Sequence, residues 1–312
     1  MDWTPDLSAQ PPSGRVSSGP GSAQPPEFRC SNTTEPAPGT APTETRWLLV
    51  EYAGSWGHAA VEESRLGDAV KRWLAEQTDV YDFRVQLIRR HKGRTPVPIT
   101  LYLADLTVGR IEVTQVQEHD ELLDLDLGAW LTGEVTFAPW NRPLWLVCTN
   151  GRRDRCCAEL GRPVTAALAA QWPEETWETT HLGGHRFAPT WMGLPSGLTL
   201  AHTDAEAALA AADAIHRDEF PTVSVRGRAG LPAEAQVAEL HVRHEGATEV
   251  HWQPPVETDG EFTTVRLHVD GEPTTVTVRT TKSQPRRLSC GDLKTKPVPV
   301  FDVVDAGTVR GR

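Results

Sequence analysis

The chain has 312 residues, 38% of them hydrophobic, with 31 basic against 42 acidic side chains and a formal net charge of −11. That length allows two domains of ordinary size with cores of their own. The acidic balance argues against a nucleic-acid partner, which would call for a basic patch, and no apolar run nears the roughly 20 residues a membrane helix needs.

Residues 1–44 are rich in Pro, Ser, Gly and Thr with almost no apolar clustering, so they are expected to form a disordered tail. The start, Met1-Asp2-Trp3-Thr4-Pro5, has neither a basic nor an apolar leader region, and the chain is read as cytoplasmic with no membrane partner. Order is expected from Trp47. A buried strand over 47–52 is followed by an amphipathic helix over 64–76, with Leu66, Val70, Trp73 and Leu74 on one face. Alternating runs through Phe83 to Leu87, Ile99 to Leu103 and Val108 to Val113 predict three strands, the last two joined by a tight turn. A short acidic helix or linker over 121–130 completes a β-α-β-β-β-α order and a first unit, 45–138.

A second unit, 139–222, repeats that order. Leu144 to Val147 is a buried strand, and a helix is expected from Cys157 to about 171, with Leu160, Val164 and Leu168 on one face. A strand over 176–181, a hairpin over 187–201 around Pro195-Ser196-Gly197, and a helix over 203–220 capped by Thr203 or Asp204 follow. The repeated order suggests a duplication, although no residue-level repeat is visible. The remainder, 223–312, reads as a helix over 232–244 and an antiparallel β region with Asp270-Gly271 as a hairpin turn. The fold class is therefore α/β.

The five cysteines, Cys30, Cys148, Cys156, Cys157 and Cys290, are odd in number and unevenly spaced. A secreted disulfide framework does not fit, and clustered cysteines in a cytosolic chain point to metal binding or catalysis. Cys148 ends a strand. Cys157 opens a helix, where the dipole and free N–H groups favour thiolate. Together they form C-x8-C. His181-Leu182-Gly183-Gly184-His185 then supplies H-x3-H, and its central glycines favour a loop at a strand end over a helix. Two thiolates and two imidazoles suit tetrahedral Zn²⁺ or a [2Fe–2S] cluster. Cys156 is the alternative thiol at the helix start, or a buried small residue, which is the reading favoured. Cys30 is read as incidental. Cys290 is open between an approach to the cluster and a place in the core. Arg152, Arg153 and Arg155 between the cysteines, and Arg186 after His185, form either a docking patch for an acidic redox partner or a solvated loop, with Asp154 neutralising part of it.

The stretch from Cys148 to Cys157, with Thr180 to Thr190 (THLGGHRFAPT), resembles the sucrase/ferredoxin-like family over about 145–197 and more weakly beyond. Members are thioredoxin-like [2Fe–2S] proteins with two Cys and two His ligands. The resemblance implies Cys148, Cys157, His181 and His185 as those ligands, with Gly183, Gly184, Arg186 and Pro189 in the supporting loop. It also implies one-electron transfer with an unidentified protein partner. The first unit would then be a degenerate thioredoxin-like copy. Phe187 to Gly197 is likewise similar to the thioredoxin strand that opens on a cis-proline, so Ala188–Pro189 is predicted cis. The rival readings are a zinc-stabilised non-redox binding module and a thiol–disulfide protein. The lack of C-x-x-C weakens the latter, and no G-x-G-x-x-G fingerprint argues for a nicotinamide or flavin.

Overall fold

The computed structural model of the chain describes residues 28–93 and 97–308. The first part of the expected tail, 1–27, lies outside the described residues. Strand β1 (Arg46–Glu51) leads through helix α1 (Asp68–Tyr81) to β2 (Phe83–Arg89), parallel to β1. β3 (Ile99–Asp105) and β4 (Arg110–Val116) form an antiparallel hairpin, with β3 on the other side of β1. A 3-10 turn (His119–Asp124), a short helix α2 (Leu127–Thr132) capped by the Asp126 carboxylate, and β5 (Ala138–Pro139) complete the unit.

The second unit has the same plan. β6 (Leu144–Cys148) and helix α3 (Arg155–Gln171) precede β7 (Thr176–Thr179), parallel to β6. The hairpin β8 (Thr190–Leu194) and β9 (Leu198–Ala201) follows, then α4 (Ala205–His216) and the outer strand β10 (Val225–Arg228). The strand orders are β2-β1-β3-β4-β5 and β7-β6-β8-β9-β10, which are equivalent, and the units meet edge to edge through β2 and β7 in one ten-stranded mixed sheet. The repeat legible in element order is thus a repeat of topology.

Strand alternation divides the side chains between cores. Leu48 and Val50 of β1 pack with Val70 and Leu74 of α1. Trp145 and Val147 of β6 pack with Val164 and Leu168 of α3. The opposite face is shared: Trp47 and Leu49 of the first unit lie in one cluster with Leu144, Leu146, Cys148, Trp177 and Met192 of the second. Helix α5 (Ala233–His244) then lays Ala235, Val237, Ala238 and Val242 on a separate four-stranded antiparallel sheet. That sheet is built from β11 (Val250–Asp259), β12 (Phe262–Val269) and β13 (Glu272–Lys282). After the small pair β14 (Arg286–Arg287) and β15 (Thr295–Lys296), it ends with β16 (Pro299–Thr308). Asp270 and Gly271 both have positive φ, 49° and 86°, as a two-residue hairpin turn of this type requires. No helix among the described residues is long and apolar enough to cross a membrane.

Several expectations need correction. Val108 is 69% exposed in the β3–β4 turn, and β4 begins only at Arg110. The strand expected over 176–181 stops at Thr179, which frees His181 from the ladder. Helix α3 starts at Arg155 because the Asp154 carboxylate caps it, accepting from the Cys156 N–H at 2.9 Å. Leu160 is exposed at 38%, and the face of α3 turned to β6 carries Gly161 instead. β10, unanticipated, supplies the fully buried Arg226. Residues 28–44 belong to the folded body: Cys30, Glu35, Ala37 and Ala41 are buried. Polar contacts hold them. The Glu35 carboxylate takes two bonds of 2.8 Å from Arg186, the Gly39 N–H donates to the Arg226 carbonyl at 2.8 Å, and the Ala41 N–H donates to Gln236 Oε1 at 3.0 Å.

The seam between the units is short, with Ile88 opposite Thr179 and Arg89 opposite Glu178. Glu178 accepts from Arg89, Thr149 and His91, each at 2.9 Å. Burial opposes its charge, but the His91 hydrogen bond and the Arg89 guanidinium outweigh burial, holding the carboxyl below its usual range. Its contribution to stability is therefore complete above the ordinary glutamate pKa of about 4.3 and is lost as pH falls through the depressed folded value. Replacing Glu178 with Ala should cost about 1–3 kcal/mol in urea unfolding at neutral pH. The difference from wild type should shrink as pH falls below about 4.

Candidate metal centre

The two thiols of C-x8-C meet because β6 ends where α3 begins. Cys148 closes the strand, the loop turns at Gly151, and Cys157 lies in the first turn of the helix. Both are essentially buried. The helix comes close enough that a Cβ on Gly161 would sit 2.3 Å from the Cys148 carbonyl oxygen. Glycine is therefore required at that crossing by the approach itself.

His181 follows β7 and turns its ring to the thiols, with Nδ1 3.7 Å from Cys148 Sγ and 3.9 Å from Cys157 Sγ. These three ligand atoms lie within 4.8 Å of one another, a grouping able to hold a metal ion. The His185 ring lies beside that of His181, with centroids 5.0 Å apart and His185 Nδ1 3.2 Å from His181 Nε2. His185 Nε2 is buried without a hydrogen bond of normal geometry, and the Leu288 backbone faces the ring. The two sulfurs and the His181 imidazole are donors that could hold a metal ion, and His185 stands beside them outside that grouping.

The glycines shape this loop. Gly183 and Gly184 both have positive φ, 89° and 68°. Gly184 also lies so close to the Arg226 guanidinium that a Cβ would come within 2.5 Å of Nη2. Arg226 Nη1 donates to the Gly183 carbonyl at 3.0 Å, Nε donates to Thr40 Oγ1 at 3.1 Å, and Nη2 bonds the Thr40 carbonyl. A buried cation thus holds the His181–His185 loop against the N-terminal segment. Across the seam, Arg84 Nη2 donates to the His181 carbonyl at 3.2 Å. Neither Arg226 nor Arg84 carried a sequence signal, because each reaches the loop from a distant strand. Pro189 begins the next strand after a cis Ala188–Pro189 bond, as expected.

Electrostatics favour ligation. The Cys157 thiol donates to Cys148, which draws the Cys148 thiol well below its usual range; burial opposes this and His181 adds to it. The same donated bond and burial raise Cys157. Metal binding would displace the thiol protons that remain. Burial, with His181 alongside, pushes His185 down to about 4, so its imidazole is neutral at pH 7, as a nitrogen ligand must be.

The arginines divide. Arg186 is committed to Glu35, and Arg155 Nη2 donates to the Phe28 carbonyl at 2.9 Å. Arg153 Nη1 lies 3.0 Å from His58 Nδ1, and Arg152 is exposed. His58, Arg84, Asn150, Arg153 and His181 line an open cleft of about 620 Å³ that reaches the imidazole side of the centre. The other cysteines, Cys30, Cys156 and Cys290, gather with Asp154 in a second group.

A thioredoxin-like α/β unit with a buried thiol–imidazole group able to hold a metal ion is the class these features define. Residues 37–216 match the family model of sucrase/ferredoxin-like proteins, and the chain belongs to that family. Comparisons with curated proteins and with solved structures gave no match.

Gly161→Ala tests the crossing. A solvent-facing helical glycine gains up to about 1 kcal/mol on becoming alanine. Here the clash with Cys148 should reverse the sign, giving a loss of about 1–3 kcal/mol in chemical denaturation and a weakened metal content by elemental analysis.

Proposed function

We propose that Cys148, Cys157, His181 and His185 hold a [2Fe–2S] cluster and that the protein carries single electrons. The observation that supports this most is the convergence of two buried thiols and His181 in one group, with the His185 imidazole, neutral at pH 7, alongside. Membership of a family described as sucrase/ferredoxin-like supports iron over zinc. When bound, such a cluster supplies one-electron oxidation and reduction.

The residues around it set its properties. Two imidazoles replace two thiolates, so the donor set carries two fewer negative charges than an all-cysteine site and favours the reduced state, as in Rieske centres. Arg226, buried against Gly184, adds a fixed positive charge on the same side. An imidazole bound through one nitrogen would keep its proton on the other, where the metal's charge would make it more acidic; His181 Nε2 and His185 Nδ1, 3.2 Å apart, can hold one such proton between them. The potential should therefore fall as pH rises. The cleft beside His181, with Arg153 half-exposed and Arg152 exposed at the adjoining loop, is the approach for an acidic redox partner. Arg186 takes no part in such docking, because Glu35 occupies it.

Purified anaerobically, the wild-type protein should be red-brown and give an electron paramagnetic resonance signal on reduction. Cys148→Ser should abolish that signal. His181→Cys and His185→Cys should each retain a cluster with a potential lower by on the order of 100 mV and a weaker pH dependence. A colourless protein with stoichiometric zinc at these residues would sink the reading, and a potential independent of pH would remove the role given to the imidazole protons.

A further inference from the structure

Cys30, Cys156 and Cys290 take no part in the centre described above, yet they converge. Cys156 Sγ is 3.3 Å from Cys290 Sγ, and Cys290 Sγ is 3.5 Å from Cys30 Sγ. With an Asp154 oxygen, all four ligand atoms lie within 4.8 Å of one another. The residues come from three remote parts of the chain: the N-terminal segment, the first turn of α3, and the loop between β14 and β15. We propose that these three thiolates bind a second metal ion, zinc, with Asp154 Oδ1 facing the fourth position, and that this ion clasps both ends of the chain over the histidine side of the first centre.

Spacing favours one ion. Thiolates on a tetrahedral zinc at about 2.3 Å stand about 3.8 Å apart, close to the separations here. A disulfide would need about 2.05 Å, and all three cysteines are free thiols.

Two of the three sulfurs accept hydrogen bonds, and the Cys30 thiol donates to Asp154 Oδ1 at 3.4 Å. The Cys30 N–H donates to Cys290 Sγ at 3.4 Å, and the Ser31 hydroxyl donates to Cys156 Sγ at 3.3 Å. Asp154 Oδ2 takes the Cys290 N–H at 2.8 Å and the Ser289 hydroxyl at 2.9 Å, and Oδ1 takes the Cys156 N–H. Backbone donors thereby orient two of the three ligand residues, the outer-shell arrangement that metal sites use.

The segments joined also need such a clasp. Residues 28–44 and the chain around 286–296 bury little apolar surface, and an ion that closes long loops offsets the most chain entropy. The clasp lies on the first centre: the Cys30 thiol points at the His185 carbonyl at 3.7 Å, and Glu35, from the same segment, holds Arg186. Loss of the ion should therefore open the His185 side to solvent.

The test uses the full chain, purified anaerobically with reductant from zinc-supplemented cells, as wild type, Cys30→Ser and Cys290→Ser. Elemental analysis should find zinc in a one-to-one ratio in wild type and at least about tenfold less in both variants, with the metal at Cys148 and Cys157 unchanged. A wild-type measurement covers the case of a variant that does not fold. After metal depletion, added zinc should shield Cys30, Cys156 and Cys290 from iodoacetamide, read by peptide mass mapping. A zinc-to-protein ratio in both variants equal to that of wild type, equal alkylation with and without zinc, or a Cys156–Cys290 disulfide in zinc-free wild type would each overturn the proposal. If the first centre itself holds zinc, wild type carries two ions and each variant one. That result sinks the iron–sulfur reading and leaves this one standing.

Discussion

One carboxylate sets the geometry on which both thiol groups depend. Asp154 is almost wholly buried, and its two oxygens are divided between α3 and the C-terminal loop. Burial alone would raise its pKa. The N–H groups of Cys290 and Cys156 and the Ser289 hydroxyl overcome that and hold it at about 2, so the charge is permanent at physiological pH. By capping α3, Asp154 fixes where the helix begins and hence where Cys156 and Cys157 point. The two adjacent cysteines then face different neighbours, Cys157 towards Cys148 and His181, Cys156 towards Cys290 and Ser31. One helix start serves two sets of sulfurs, and the anion at its head completes the second.

The first centre is legible in the sequence because its parts are local. Cys148 and Cys157 flank a single strand-to-helix turn, and His181 to His185 leave the next strand, so spacing and glycine content carry the information. The second group is not legible in the same way. Cys30 and Cys290 are 260 residues apart, and each stands alone in a polar stretch with no periodicity to mark it. The composition of residues 28–44 indicated too little apolar surface for a core. That is correct as far as it goes, but these residues are held by polar anchors, Arg186 on Glu35 and Arg226 on Thr40.

Apolar patterning was similarly informative about strands and incomplete about helix faces. Leu160 belongs to the helical stripe by spacing, yet it faces solvent, because the true contact face of α3 must present glycine where it crosses Cys148. Arg226 shows the converse. A charged residue on a strand without a hydrophobic pattern is fully buried, its hydrogen bonds taken up by the Gly183 and Thr40 carbonyls and the Thr40 hydroxyl. Loop position, helix crossing and buried cation together fix the imidazoles. None of them is a property of a local window of sequence.

The join between the two units has a symmetry of its own. Equivalent strands, each second in its βαβ motif, meet antiparallel, so a local two-fold axis runs through the seam. An isologous dimer of a single such unit would have this contact. A fragment beginning near Leu144 would therefore bare the β7 edge with its unpaired backbone groups and remove the Arg84 support of the His181 carbonyl. Its simplest relief is to pair with itself across that edge, which would set two copies of the Cys148, Cys157 and His181 group facing across the axis.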